Sequence, residues 1–273
     1  MPEVKILSRS TAFGNYEHQY IGVLERIPEH HLKNSINLPR ERIWKIRAAK
    51  TFIATGAIER PLIFNNNDRP GIILSSSIKK YIDYYGVKCG QKISLFTNND
   101  SAYETAISLN KSGVSVNSVI DIRDKSNSSI VKQAKDQGIK IYWKHTVVNT
   151  NGYKRINSIE IMKLSDDGSE AIGNKIKIDC DCLGISGGWT PRVHLFTQSG
   201  GKLKFRDKDN VFLPDRASSE QISIGSCNGD FELDEIVKNS TTLVDKFLNV
   251  NNSEYNKLQI NCSKETDKKN IWL

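Results

Sequence analysis

The sequence predicts an α/β protein in which one dinucleotide-binding domain interrupts another, on three observations. Strand-like and helical segments alternate from residue 88 to 143, the order that builds a parallel sheet with crossover helices. Two alternating runs, at 156–164 and 175–181, break that order around the turn Asp166-Asp-Gly168. Short apolar segments ending in small residues lie on either side, at 51–57 and 222–229.

Each element has a local reason. Val4–Leu7, Tyr20–Ile27 and Arg42–Arg47 alternate apolar and polar residues and predict a small antiparallel meander. Thr51–Ala54 is short and mostly apolar, as expected of a strand covered on both faces. Asn65-Asn-Asn-Asp-Arg-Pro-Gly71 is a strong turn signal. Ser75–Tyr85 places Ile78, Ile82 and Tyr85 on one helical stripe, with Gly86 to end it. A strand over 91–97, a helix over 100–112 with Asp100 as N-cap, and a strand over 114–122 form a β-α-β unit. A helix at 129–137, strands at 139–143 and 222–224, and a helix at 233–248 complete the reading. The expected domains are 1–87, 88–182 and 183–249, the last returning to the first, with a polar linker over 250–273.

The totals exclude several classes. At 273 residues, 38% hydrophobic and 26% charged, the chain can bury a sizeable core. No apolar run approaches the roughly 18 residues of a membrane helix, and residues 1–20 lack the apolar core of a signal peptide, so a cytoplasmic protein is expected. The net charge of +8 comes from 39 Lys and Arg scattered along the chain, a solvated surface and not a nucleic-acid patch. Five cysteines (Cys89, Cys180, Cys182, Cys227, Cys262) lack metal-ligand spacing and read as buried thiols. Cys180 and Cys182 are expected on one strand, facing one way. His30-His31 reads as a solvated pair.

The segments able to hold a nucleotide are the turns. A phosphate needs close backbone approach, hence glycine, and helix N-terminal amides. In the β-α-β unit that turn reads Thr97-Asn-Asn-Asp-Ser-Ala102 and has no glycine, which predicts a structural Rossmann unit without ligand. Ala54-Thr55-Gly56-Ala57, Gly187-Gly188-Trp189 and Gly225-Ser-Cys-Asn-Gly229 are better candidates. No catalytic constellation appears: Glu59 and Arg60 read as an ion pair or as surface positions, and His194 has no nearby acid or nucleophile in sequence.

ATGAIERPLIFNNNDRPGI, FTNNDSAYETA and GISGGWTPRVHLFTQSGGKL together resemble the α subunit of heterotetrameric sarcosine oxidase, nearly colinearly from about residue 4 to 235. The resemblance implies a fold like that of pyridine nucleotide-disulfide oxidoreductases, with FAD/NAD(P)-binding domains. It implies a complex that oxidises sarcosine to glycine with release of hydrogen peroxide. In that complex the amine-oxidising site and FAD lie in a β subunit, FMN lies between α and β, NAD lies in α, and smaller subunits complete the assembly. The family's glycine-rich NAD loop and its folate-binding half have no counterpart in these 273 residues, so a central fragment is expected. The resemblance makes Ala54, Thr55, Gly56 and Ala57 the first cofactor contacts, then Gly187, Gly188 and Trp189, then Gly225 and Gly229; it gives no catalytic residue and no metal. The alternative is a free-standing FAD/NAD-dependent amine or opine dehydrogenase subunit, which shares the ATG-x-E-R-P segment.

Overall fold

The computed structural model describes residues 3–28 and 39–249. The expected linker at 250–273, Cys262 and the His30-His31 pair lie outside the described residues. The chain forms two compact units, passing from the first to the second after Ala57 and back after Thr190.

Unit 2 is built on a five-stranded parallel sheet in the order Ile72–Leu74, Cys182–Ser186, Ile93–Thr97, Val116–Asp121, Ile141–Trp143. Alternation along each strand feeds two different cores. Ile93, Leu95, Val119 and Cys182 face the helices Ser75–Tyr85, Ser101–Lys111 and Ser129–Asp136, meeting Ile78, Tyr103, Leu109 and Val131. Phe96, Ile120, Leu183 and Ile185 face the antiparallel sheet His145–Gly152, Ile156–Leu164 and Ala171–Asp179, meeting Val147, Ile159 and Ile161. Each fully buried Leu, Ile or Phe contributes about 1.5–3 kcal/mol by leaving water, so these two layers dominate the stability of the unit.

Unit 1 holds an antiparallel meander of Ser10–Tyr16, Tyr20–Arg26 and Glu41–Arg47. It also holds a parallel pair, Thr51–Ile53 with Gln221–Ser223, and a hairpin of Lys202–Arg206 and Val211–Arg216. Its buried cluster is small: Ile53, Phe196 and Cys227. A polar tie supplements it. The buried Asn15 side chain donates to the Leu195 carbonyl at 3.0 Å and to Gln221 Oε1 at 2.6 Å, joining the meander to the late part of the chain. The helix Leu233–Leu248 buries no residue.

Several expectations are corrected. Val4–Leu7 is irregular; the first strand is Ser10–Tyr16, which pairs along Tyr20–Arg26. The strands Ile72–Leu74 and His145–Gly152 and the hairpin at 202–216 were not legible, because sheet partners far along the chain select them. The sequence places domain boundaries at 87/88 and 182/183, whereas the units divide at 57/58 and 190/191. The helix Ser75–Tyr85 packs through Ile78 on Leu95 and Cys182 of the inner sheet, which draws residues 58–87 into unit 2. Cys180 and Cys182 do not share a face. The strands end at Asp179 and restart at Cys182, and the two thiols enter opposite cores.

Candidate functional site

In unit 1 the parallel pair ends both its strands at the same level, with Ser223 beside Ile53. The Ile224 N–H donates to the Ile53 carbonyl at 3.0 Å, and the Cys227 thiol donates to the same oxygen at 3.1 Å. The turn Ala54–Ala57 and the turn Gly225–Gly229 are thereby neighbours, although 170 residues of sequence separate Thr55 from Gly225. Thr55 Oγ1 donates to the Arg192 carbonyl at 2.7 Å, and the Arg192 N–H donates to the Gly56 carbonyl at 2.9 Å, which fixes the first turn.

Gly56 and Gly225 both adopt the left-handed region, φ 71° and 69°. A β-carbon on Gly56 would meet nothing within 4 Å, and one on Gly225 only Ile236 at 3.6 Å. Glycine is required there by backbone conformation; at the carboxyl ends of two parallel strands Gly56 is half-buried with open space beside it, and Gly225 is buried without crowding. Ligands of open α/β sheets bind at such strand ends, so these residues fit close approach by a nucleotide. Gly229 differs: like Gly225 it is buried, but a β-carbon there would meet Leu213 at 2.7 Å, and its carbonyl accepts from Arg206 at 2.9 Å.

The candidates in unit 2 are engaged by packing. Gly187 and Gly188 are buried. The Gly187 N–H donates to the Arg60 carbonyl at 2.7 Å, and the Arg60 N–H donates to the Gly188 carbonyl at 2.8 Å. A β-carbon on Gly187 would lie 2.8 Å from the Pro61 carbonyl oxygen, and one on Gly188 would lie 2.9 Å from the Arg60 guanidinium. Trp189 opens the strand Trp189–Pro191, which pairs with Ala57–Glu59. Glu59 is not a surface residue. It is buried, and its carboxylate accepts the Ser76 N–H at 2.8 Å, satisfying an amide of the first turn of Ser75–Tyr85 where the helix dipole favours a negative charge.

Sequence reasoning missed a buried charge cluster at the carboxyl ends of the strands Ile93–Thr97 and Val116–Asp121. Arg123, 2% exposed, lies 2.7 Å from Asp100 and 2.8 Å from Asp121. The Tyr103 hydroxyl donates to Asp121 at 2.7 Å. Burial raises the Asp121 carboxyl pKa, opposed by Arg123 and Tyr103; burial also raises the Tyr103 hydroxyl, reinforced by the charge of Asp121. Asp100 stands at the N-cap of its helix without a side-chain capping bond. Asn99 accepts the Ser101 N–H instead, at 3.0 Å, and Asp100 turns to Arg123. The only advance signal was three acids or bases, Asp100, Asp121 and Arg123, each just beyond or at a strand end.

Cys180, Cys182 and Cys227 are buried free thiols. Burial pushes Cys180 and Cys182 up to about 12. At about pH 8 roughly one such thiol in ten thousand is the reactive thiolate. Iodoacetamide is therefore expected to leave both unmodified in the folded protein and to label both in denaturant, as read by peptide mass. Rapid labelling of either without denaturant would show that the unit opens there.

Among the described residues no group of three or more His, Cys, Asp or Glu is placed to hold a metal ion, and no helix is long and apolar enough to cross a membrane.

No family model matches the chain. It is 36% identical over 233 residues to sarcosine oxidase subunit alpha of Corynebacterium sp. (strain P-1), covering 84% of this chain and 24% of that subunit. It is 35% identical over 213 residues to the subunit of the same name from Rhizobium meliloti (strain 1021), covering 78% of this chain and 20% of the relative. The chain is a relative of sarcosine oxidase subunit alpha. It spans about a quarter of the length of these curated relatives. Among solved structures it resembles L-proline dehydrogenase from P. horikoshii, with a TM-score of 0.57 at 18% identity over 89% of this chain and 41% of the other. It also resembles thioredoxin reductase of Lactococcus lactis, with a TM-score of 0.54 at 18% identity over 81% and 67%. These likenesses show the fold: the interleaved α/β architecture of FAD- and NAD-dependent oxidoreductases related to the pyridine nucleotide-disulfide enzymes.

Proposed function

We propose that the chain is a cofactor-binding scaffold segment of a sarcosine oxidase-like α subunit, cytoplasmic, and that it holds one face of an NAD site through unit 1. The observation that carries this reading is the pair of uncrowded left-handed glycines, half-buried Gly56 and buried Gly225, at the adjacent ends of two parallel strands. Ala54, Thr55 and Ala57 would line the same turn. Gly229 would act by shaping the late turn, whereas Gly187, Gly188 and Trp189 belong to unit 2 and are not assigned to this site.

NAD bound there would supply hydride-accepting chemistry to the complex. The residues of this chain bind and orient. Thr55 fixes the turn through Arg192, the open main chain at Gly56 admits the ligand, and Gly225 keeps the adjoining turn free of a side chain. In this reading the site of amine oxidation lies in a partner β subunit that carries FAD, with FMN at its boundary with α. Smaller subunits would complete the heterotetramer.

The test is mass spectrometry of nucleotides released from the purified full chain, followed by titration of Gly56→Val and Gly225→Val with NADH. Released NAD, with affinity lowered at least about tenfold in both variants, is the expected result; a side chain there closes the approach at a cost of about 1.4 kcal/mol or more. Stoichiometric flavin in place of NAD would favour a free-standing dehydrogenase subunit. Unchanged affinity in both variants would remove unit 1 as the site.

A further inference from the structure

We infer that unit 2 retains the topology of a dinucleotide-binding domain with its ligand positions filled by its own side chains, so that no nicotinamide or flavin dinucleotide enters it. This goes beyond the reading above, which concerns unit 1.

Two positions define such a site. The turn after the first strand offers helix N-terminal amides to the pyrophosphate, and an acid about 20 residues further on, at the end of the second strand, holds the ribose. Both positions exist here, at 97–101 and at Asp121, and both are occupied.

At the turn, three polar side chains replace glycine and point inward: Asn98, Asn99 and Asp100 are 7%, 1% and 7% exposed. Asn99 Oδ1 accepts the Ser101 N–H, one of the amides a phosphate would need. Its Nδ2 donates to the Ser186 carbonyl at 3.2 Å and to the Ser186 hydroxyl at 3.0 Å, tying the turn to the next strand. Asn98 Nδ2 reaches the Gly187 carbonyl at 3.4 Å. The carboxylate of Asp100 stands at the helix N-terminus, where the dipole favours an anion. It is an internal anion in the place of the phosphate.

At the second strand end, Asp121 is wholly buried. One of its oxygens accepts from Arg123 Nε at 3.0 Å and from the Arg123 N–H at 2.9 Å; the other accepts from Arg123 Nη2 and from Tyr103. A ribose hydroxyl would have to displace these donors. Arg123 follows the strand end, where an arginine can serve a 2′-phosphate, but its guanidinium is held inward between two carboxylates. The cluster has two acids and one base, so its formal charge of −1 opposes a pyrophosphate as well.

The experiment is titration of the full chain and of Asp121→Asn with NADH, NADPH and FAD, joined to hydrogen–deuterium exchange at millimolar nucleotide. The expected result is the same affinity in both proteins for each nucleotide and unchanged exchange in peptides covering 97–103 and 119–123. An affinity too weak to measure in both proteins leads to the same conclusion, because both ligand positions of unit 2 lie within this chain. Circular dichroism confirms that Asp121→Asn is folded; if it is not, exchange in the unaltered chain decides alone. A drop of about tenfold or more on Asp121→Asn, the loss that removal of a charged hydrogen bond produces, would overturn the inference. So would slower exchange at 97–103 on adding any of the three nucleotides. Gly56→Val separates the readings: it alters binding only if unit 1 is the site.

Discussion

Arg123→Met is expected to destabilise unit 2 by about 3–5 kcal/mol, the range for removing one partner from a buried ion pair. The guanidinium lies between Asp100 and Asp121, and neither carboxylate has solvent to turn to. Methionine fills much of the volume and supplies no positive charge, so the loss is electrostatic. A fall in melting temperature on the order of 10 °C follows for a unit of this size, measured by calorimetry or by circular dichroism. The loss also depends on pH in a definite direction. Burial already raises the Asp121 carboxyl, and removing the cation raises it further. A carboxyl whose folded pKa lies above its unfolded value of about 3.9 favours folding at acidic pH, and that advantage disappears as pH rises through the folded pKa. Arg123→Met is therefore expected to be less destabilising near pH 5 than near pH 8. Adding Asp100→Asn and Asp121→Asn to the variant recovers much of the loss, because no buried charge then stands alone. A loss that is equal at both pH values and unaffected by the two Asn substitutions would mean that packing, not charge, holds the cluster.

Gly187→Ala is expected to cost about 1–3 kcal/mol, the usual range for overfilling a packed interior. The new β-carbon would lie 2.8 Å from the Pro61 carbonyl oxygen and 3.1 Å from that of Arg60. Both obstacles are main chain, and Gly187 is hydrogen-bonded to one of them, so relief requires a backbone shift and the loss of a 2.7 Å bond. Chemical denaturation measures this as a lower midpoint with an unchanged slope. Gly56→Ala provides the contrast. Its β-carbon meets nothing, and its cost is the left-handed strain alone, about 1–2 kcal/mol. Equal nucleotide affinity in Gly187→Ala and wild type is consistent with a packing role for Gly187; a loss of affinity without a loss of stability would make it a ligand contact.

The same comparison shows what a glycine in the sequence can and cannot reveal. Gly56, Gly187 and Gly225 look alike as letters after short apolar runs. Gly56 has bare space beside it, Gly225 has Ile236 at ordinary contact distance, and Gly187 has two carbonyl oxygens against it, a distinction set for Gly187 by residues 60–61.

The sequence by itself determined the helices at 75–85, 101–111 and 233–248, the meander strands at 20–26 and 41–47, and the inner β-α-β unit. Their signals are local: apolar periodicity, a terminating glycine, alternation along a strand. It also determined that the inner turn lacks glycine, and three longer phrases pointed to the family later supported by the relatives. Only the tertiary structure decided the rest. Ile72–Leu74 becomes a strand because Cys182–Ser186, more than a hundred residues away, offers it a parallel edge. Cys180 and Cys182 part because Asp181 leaves the strand, its carboxylate accepting the Gln91 and Lys92 amides. Asp100, Arg123, Asp121 and Tyr103 meet because parallel strands align their carboxyl ends, Thr97 beside Asp121. Each residue alone is an ordinary polar residue near a loop. Brought together out of water, they must satisfy one another, and in doing so they fill the space that the fold elsewhere offers to a nucleotide.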